Sequence, residues 1–211
     1  TLEKFFNTDT AKELKEKNQK ADVLLGNNVL AHVPDVNNFI QGMKILLKPN
    51  GVITMEFPHI LQLLTKNQFD TIYHEHFSYF SFFIIQKIFS SHGLTVFDVE
   101  EISTHGGSLR IFVKHSENKT HKISENVEKL LKKEKEFKLY DYSTYLGFSK
   151  KAENIKNKFN SFLEKAHLEG RSVVCYGAPA KGNTLLNYCR ISSERIEYTV
   201  DLSPHKQGLF L

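Results

Sequence analysis

Tyr73, His74, Glu75 and His76 occupy four consecutive positions inside the stretch Asp70-Thr-Ile-Tyr-His-Glu-His-Phe-Ser-Tyr-Phe-Ser81. Proton abstraction near neutral pH needs a base whose pKa lies close to the operating pH, and an imidazole meets that need most simply. An adjacent carboxylate and phenol can orient such a base and stabilise its charged form. Two other readings compete with this one. The run can be a surface loop closed by local hydrogen bonds. His74, Glu75 and His76 are also zinc-ligand types, although neighbouring side chains point apart and His-x-His in a loop is a poor ligand set.

A second polar cluster is Asn27-Asn28-Val-Leu-Ala-His32. Its side chains suit a turn cap or a polar pocket. They also suit hydrogen bonds to an adenosine or amino-acid moiety. A third is the glycine loop Tyr176-Gly-Ala-Pro-Ala-Lys-Gly-Asn183. A helix N-terminus flanked by glycines can hold phosphate oxygens through backbone N–H groups, with Lys181 adding charge and Asp201 placed where a ribose-binding acid often sits. Gly-x-x-x-x-Gly is not the full dinucleotide fingerprint, and no Ser or Thr follows a Gly-Lys pair. Phosphate binding and a merely tight turn both remain open. His105-Gly106-Gly107-Ser108 reads as a hairpin turn whose glycines also permit close approach of a substrate. His59, His92, His115, His121 and His167 read as structural or exposed.

The elements that must position these groups alternate. Residues 9–19 read as a helix capped by an aspartate or threonine. Ala21–Gly26 is a short apolar run, expected as a buried strand. Phe39–Leu47 has helical spacing and stops at Lys48-Pro49-Asn50-Gly51, a turn signal. Val52–Phe57 is the next strand. This order predicts a parallel α/β sheet, whose ligands bind outside the carboxyl ends of the strands. A helix is expected over residues 60–66, and another over residues 82–91 with Ser81 as its N-cap and Gly93 as its stop. Leu94–Ile102 and Ser108–His115 read as an antiparallel pair ending the sheet. Residues 122–168 carry two helices, and residues 170–201 a βαβ unit with strands at Arg171–Tyr176 and Ile196–Val200.

The chain has 211 residues, is 40% hydrophobic and 25% charged, and carries a net charge of +4. It is therefore expected to bury a real core. The basic run Lys114–Lys138 is interrupted by Glu117, Glu125, Glu128, Glu134 and Glu136 and reads as a solvated helix face, not a nucleic-acid stripe of one sign. Cys175 and Cys189 are too few for a disulfide scaffold or a metal site, so a reducing cytoplasm is expected. No apolar run approaches the ~20 residues of a membrane span, and no signal-peptide pattern opens the chain. Thr1-Leu2-Glu3 and Gly208-Leu209-Phe210-Leu211 read as the ends of a fragment.

Five stretches taken together resemble the S-adenosylmethionine-dependent C-methyltransferases of nucleotide-linked deoxysugars. They are Asn27-Asn-Val-Leu-Ala-His-Val-Pro34, Leu47-Lys-Pro-Asn-Gly51, Tyr73-His-Glu-His-Phe-Ser-Tyr-Phe-Ser81, His105-Gly-Gly-Ser-Leu-Arg110 and Cys175-Tyr-Gly-Ala-Pro-Ala-Lys-Gly-Asn-Thr184. Leu-Lys-Pro-x-Gly is weakly specific, whereas Tyr-x-Glu-His and Tyr-Gly-Ala-x-Ala-Lys-Gly are much more specific together. The resemblance implies a truncated class I methyltransferase (Rossmann-like) sheet in residues 1–118, a helical connection in residues 119–169, and the start of a second Rossmann-like, sugar-nucleotide-binding domain in residues 170–211. The family's N-terminal zinc domain and glycine-rich cofactor loop have no counterpart here, so zinc is expected only in a preceding segment, and this portion alone is expected to be inactive.

The implied reaction moves a methyl group to C3 of a 4-keto deoxysugar through an enolate. His76 is the implied base, Glu75 its orienting or sharing partner and Tyr73 a hydrogen-bond donor to the substrate or enolate. Asn27, Asn28 and His32 are implied near S-adenosylmethionine. Tyr79, Gly177, Lys181, Gly182 and Asn183 are implied near the sugar nucleotide. No role is implied for His74. A non-catalytic sugar-nucleotide-binding module and an NAD-dependent oxidoreductase stand as alternatives. No nucleic-acid or membrane partner is expected.

Overall fold

Alternation of side chains explains the sheet. In the strand Leu47–Pro58 (β2), Ile53, Met55 and Phe57 are buried in turn. Leu109, Ile111 and Val113 of Ser108–His115 (β4) do the same, as do Leu94 and Val96 of Leu94–Ile102 (β3), with Val99 following. Successive strand residues point to opposite faces, so each strand offers one apolar face to the core. Fully burying such a side chain is worth about 1.5–3 kcal/mol. The computed structural model describes residues 1–210 and joins these strands to Ala21–Asn27 (β1) in the order β1-β2-β4-β3. β1 and β2 are parallel, and β4 is antiparallel to both β2 and β3.

The helices carry local start signals. Asn7 accepts a hydrogen bond from Thr10 N–H at the head of Thr8–Glu16 (α1), and Asp35 accepts one from Asn38 N–H at the head of Val36–Leu46 (α2). Both caps lie upstream of the starts read from periodicity, because short polar residues outside the apolar pattern supply them. Ile60–Thr65 forms α3. Ser81 caps Phe82–Ser91 (α4) through its hydroxyl, and Gly93 follows with φ 67°. α4 buries Phe82, Ile85 and Phe89, and Glu125–Glu136 (α5) adds Val127 and Leu130 to the same core.

Two expectations are corrected. β1 is not a buried strand: it lies at the edge of the four-stranded sheet, and Val23 and Leu25 are 54% and 76% exposed. An apolar run of this length does not say which faces are covered. The helix does stop just before Lys48-Pro49-Asn50-Gly51, at Leu46, but that run is not a separate turn. β2 runs through it as an irregularity, with Ala21 opposite Leu47 and Val23 opposite Val52. Gly51 is required there, since a Cβ would lie 2.9 Å from Asp22 O.

The chain divides into two compact units, residues 1–65 with 75–141, and residues 66–74 with those from 142 onward. The second contains Tyr142–Leu146 (α6), Phe148–Leu168 (α7), Cys175–Tyr176 (β5), Ala180–Cys189 (α8) and Thr199–Val200 (β6). β5 and β6 are parallel and flank α8, as a βαβ unit requires, but each pairs over only two residues. Leu163, Ala166, Cys189 and Ile196 are buried in this unit, and burial pushes the Cys189 thiol up.

Candidate active site

β1 ends at Asn27 opposite Glu56 of β2, and Asn28 N–H donates to Glu56 O at 2.8 Å. Asn28 then takes φ 55°, a left-handed conformation that asparagine tolerates better than most residues. This bend turns the chain into the short helical turn Leu30–His32, at the carboxyl ends of two parallel strands.

The loop that follows the second strand docks on that turn. Phe77 N–H donates to Ala31 O at 2.8 Å, and Ser78 N–H donates to the same oxygen at 3.3 Å. His32 Nδ1 lies 2.8 Å from Glu75 O. A carbonyl only accepts, so His32 carries a proton on Nδ1, which leaves Nε2 as the acceptor in the neutral ring. The His32 and His76 rings are 4.8 Å apart between centroids, and the His76 ring meets Tyr79 edge-on at 5.8 Å. Two imidazoles and a phenol thus share one edge of the sheet. The family resemblance implies His32 near the cofactor. Its proximity to His76 could not be seen from a separation of 44 residues.

Glu75 presents its main chain to His32, while its side chain is exposed and makes no hydrogen bond among the described residues. Tyr73 and His74 belong to the second compact unit, and Glu75 and His76 to the first.

A further residue reaches this edge from the β3–β4 connection. Asn28 Nδ2 donates to His105 Nε2 at 3.0 Å. His105 has φ 51°, and Gly106 and Gly107 follow with φ 85° and 129°. The hairpin therefore aims its histidine back at Asn28, a role that its glycine-rich context signals only as a turn. Below it, Glu56 is buried and accepts hydrogen bonds from Thr104 Oγ1 at 2.8 Å and Arg110 at 3.1 Å. Asn28 Oδ1 is buried and has no partner.

In the second unit, Gly177 has φ 86° and donates its N–H to Val200 O at 2.7 Å. Asp201 accepts hydrogen bonds from Ser203 N–H and Ala178 N–H, which hold its carboxyl below the ordinary range. Lys206 donates to Ala178 O at 2.8 Å. A cavity of about 540 Å³ lies beside Ala178, Asp201 and Lys206. Lys181 and Gly182 lie in the first turn of α8, which has no side-chain cap. Asn183 accepts a hydrogen bond from Asn187.

Residues 103–211 match the C-methyltransferase C-terminal domain, and residues 2–99 match a methyltransferase domain. The chain belongs to the C-methyltransferase family. It is 33% identical over 211 residues to C-methyltransferase NovU of Streptomyces niveus, covering all of this chain and half of that protein. Among solved structures, magnesium protoporphyrin IX methyltransferase of Synechocystis PCC 6803 with bound SAH aligns at 18% identity and TM-score 0.37, over 44% of each chain. An O-methyltransferase family protein of Burkholderia thailandensis aligns at 19% identity and TM-score 0.40, over 56% of this chain and 36% of that one. Among the described residues, no helix is long and apolar enough to cross a membrane, and no three His, Cys, Asp or Glu side chains are grouped to hold a metal.

Proposed function

We propose that this chain carries the base and the substrate-side residues of an S-adenosylmethionine-dependent C-methyltransferase acting on C3 of a nucleotide-linked 4-keto deoxysugar. The observation that carries the proposal is the docking of Glu75–Tyr79 on the Leu30–His32 turn. It sets His76 4.8 Å from His32 at the carboxyl ends of β1 and β2. Crevices at that edge are where open α/β sheets bind ligands.

The residues present suit the cofactor. Asn28 Oδ1 is a buried acceptor without a partner, as a bound O–H or N–H donor would require. Asn27 and His32 flank it on the same edge. When bound, S-adenosylmethionine supplies an electrophilic methyl group.

His76 removes the C3 proton of the substrate, and the C–H electron pair passes to the enolate. The methyl group such an enolate carbon would take is the one the cofactor would supply, held by Asn27, Asn28 and His32. An imidazole in this role is worth about 10²–10⁴-fold in rate. His32 donates from Nδ1 to Glu75 O, so its Nε2 is the ring atom left for a second polar contact beside His76. Tyr73 and Tyr79 donate to the substrate or to the developing oxyanion, where a phenol is most effective. Glu75 orients His76 or shares its role. Gly177, Lys181, Gly182 and Asn183 meet the nucleotide phosphates at the head of α8.

The test uses the full-length gene product, labelled S-adenosylmethionine and a 4-keto deoxysugar nucleotide. Label should appear on the sugar, and His76→Ala should abolish its transfer. Nucleotide binding without any transfer would instead support a non-catalytic sugar-nucleotide module.

A further inference from the structure

We propose that Glu134 and His59 are positioning residues of this reaction, a buried clamp that holds the loop bearing His76 against the end of β2. The proposal rests on the reading of His76 as the base. Glu134 is one of the acids that interrupt the basic run Lys114–Lys138, yet it is 0% exposed and not part of a solvated face. It lies seven residues after Val127 and four after Leu130, on the apolar face of α5.

Four donors converge on this carboxylate. His59 Nε2 lies 2.7 Å away, Phe82 N 2.6 Å, Phe83 N 3.0 Å and Tyr140 Oη 3.0 Å. Phe82 and Phe83 open α4, directly after the loop. His59, directly after β2, pairs with Phe80, and Ile60 N–H donates to Phe80 O at 3.1 Å. His59 N–H also donates to Gly107 O at 3.1 Å, which ties the clamp to the hairpin carrying His105. Glu134, held by the His59 imidazole, thus fastens the amides of Phe82 and Phe83, while the backbone of residues 59 and 60 fastens Phe80. Residues 77 and 78 are fastened by Ala31, and His76 precedes them directly.

Helix initiation does not require this acid, because Ser81 already caps α4. A buried, fully hydrogen-bonded polar group can specify one geometry without adding net stability. His59 Nδ1 is buried without a partner, a cost of the kind found at functional sites.

The experiment uses the full-length gene product. It measures kcat and KM for methyl transfer, and hydrogen exchange over residues 75–83, in Glu134→Gln, His59→Leu, His59→Gln and Leu130→Ala. Glu134→Gln and His59→Leu should lower kcat by about tenfold or more, since small misplacements of a reacting group are costly, with KM within about twofold and faster exchange at residues 75–83. His59→Gln, which still donates an N–H to Glu134, should restore most of the rate. Leu130→Ala should lower the melting temperature and leave kcat unchanged. Wild-type kcat and exchange in Glu134→Gln and His59→Leu would overturn the clamp. Should Glu134→Gln fail to fold, the two His59 variants decide in the same way. Absence of methyl transfer by the wild type would overturn the reaction alone, and the exchange data would still decide the clamp.

Discussion

Replacing Glu134 by Ala should cost about 3–6 kcal/mol, since hydrogen bonds to a charged group are worth about 1.5–3 kcal/mol each and two of its donors are fully buried. The donors it leaves behind give the same size. Phe82 is 0% exposed and His59 1% exposed, whereas Tyr140 is 44% exposed and can turn to water. Each buried donor left unpaired costs about 1–3 kcal/mol, so two contribute roughly 2–6 kcal/mol. With a urea slope of about 2 kcal/mol per molar, the unfolding midpoint should fall by about 2 M. Far-UV circular dichroism during a urea titration measures it. Acid offers a second check. Burial alone would raise the Glu134 carboxyl. The His59 hydrogen bond and the amides of Phe82 and Phe83 outweigh it and hold the group below its ordinary 4.5. A depressed folded value means stability complete above 4.5 and lost as pH falls through that lower value. Wild type should weaken in that window, and Glu134→Gln should lack this component. A loss under about 1 kcal/mol for Glu134→Ala would refute the reasoning, since only a solvated pair is worth so little.

Other expectations concern the site edge and the glycine loops. His32→Phe keeps a ring beside His76 but loses the donor to Glu75 O; turnover should fall by up to about 10²-fold with little change in melting temperature. Gly107→Ala should destabilise the first unit by about 1–3 kcal/mol in chemical denaturation, because φ is +129° and the new Cβ would lie 2.7 Å from Gln62 Cγ. Gly177→Ala meets open space, its nearest neighbour being Pro179 Cδ at 3.8 Å, so only its φ of +86° opposes the change. That conformation costs about 1–2 kcal/mol, and calorimetry should show roughly tenfold weaker sugar-nucleotide binding.

Strands β1 to β4 and the Ser81 cap were legible because they obey local rules: alternation, an apolar run, a hydroxyl before a helical stripe. The edge position of β1 was not, because the same apolar run serves a covered or an uncovered face. The two-residue strands of the second unit were read longer, since β-rich composition does not report pairing. At the site, the strand-end placement of Asn28 and His76 followed from element order. The His32–His76 and Asn28–His105 contacts join residues distant in sequence, and only tertiary structure brings them together. Glu134 left a trace that net charge concealed. It continues the stripe of Val127, Leu130 and Leu131, and an acid on such a stripe signals a buried polar partner.

Solvent exchange at C3 tests the central claim most directly. The full-length gene product is incubated in deuterated water with S-adenosylhomocysteine and the 4-keto sugar nucleotide, and deuterium at C3 is followed by NMR. If His76 is the base, the wild type exchanges the C3 proton without methyl transfer, and His76→Asn loses that exchange by about 10²-fold or more. Exchange in His76→Asn at the wild-type rate would contradict the account.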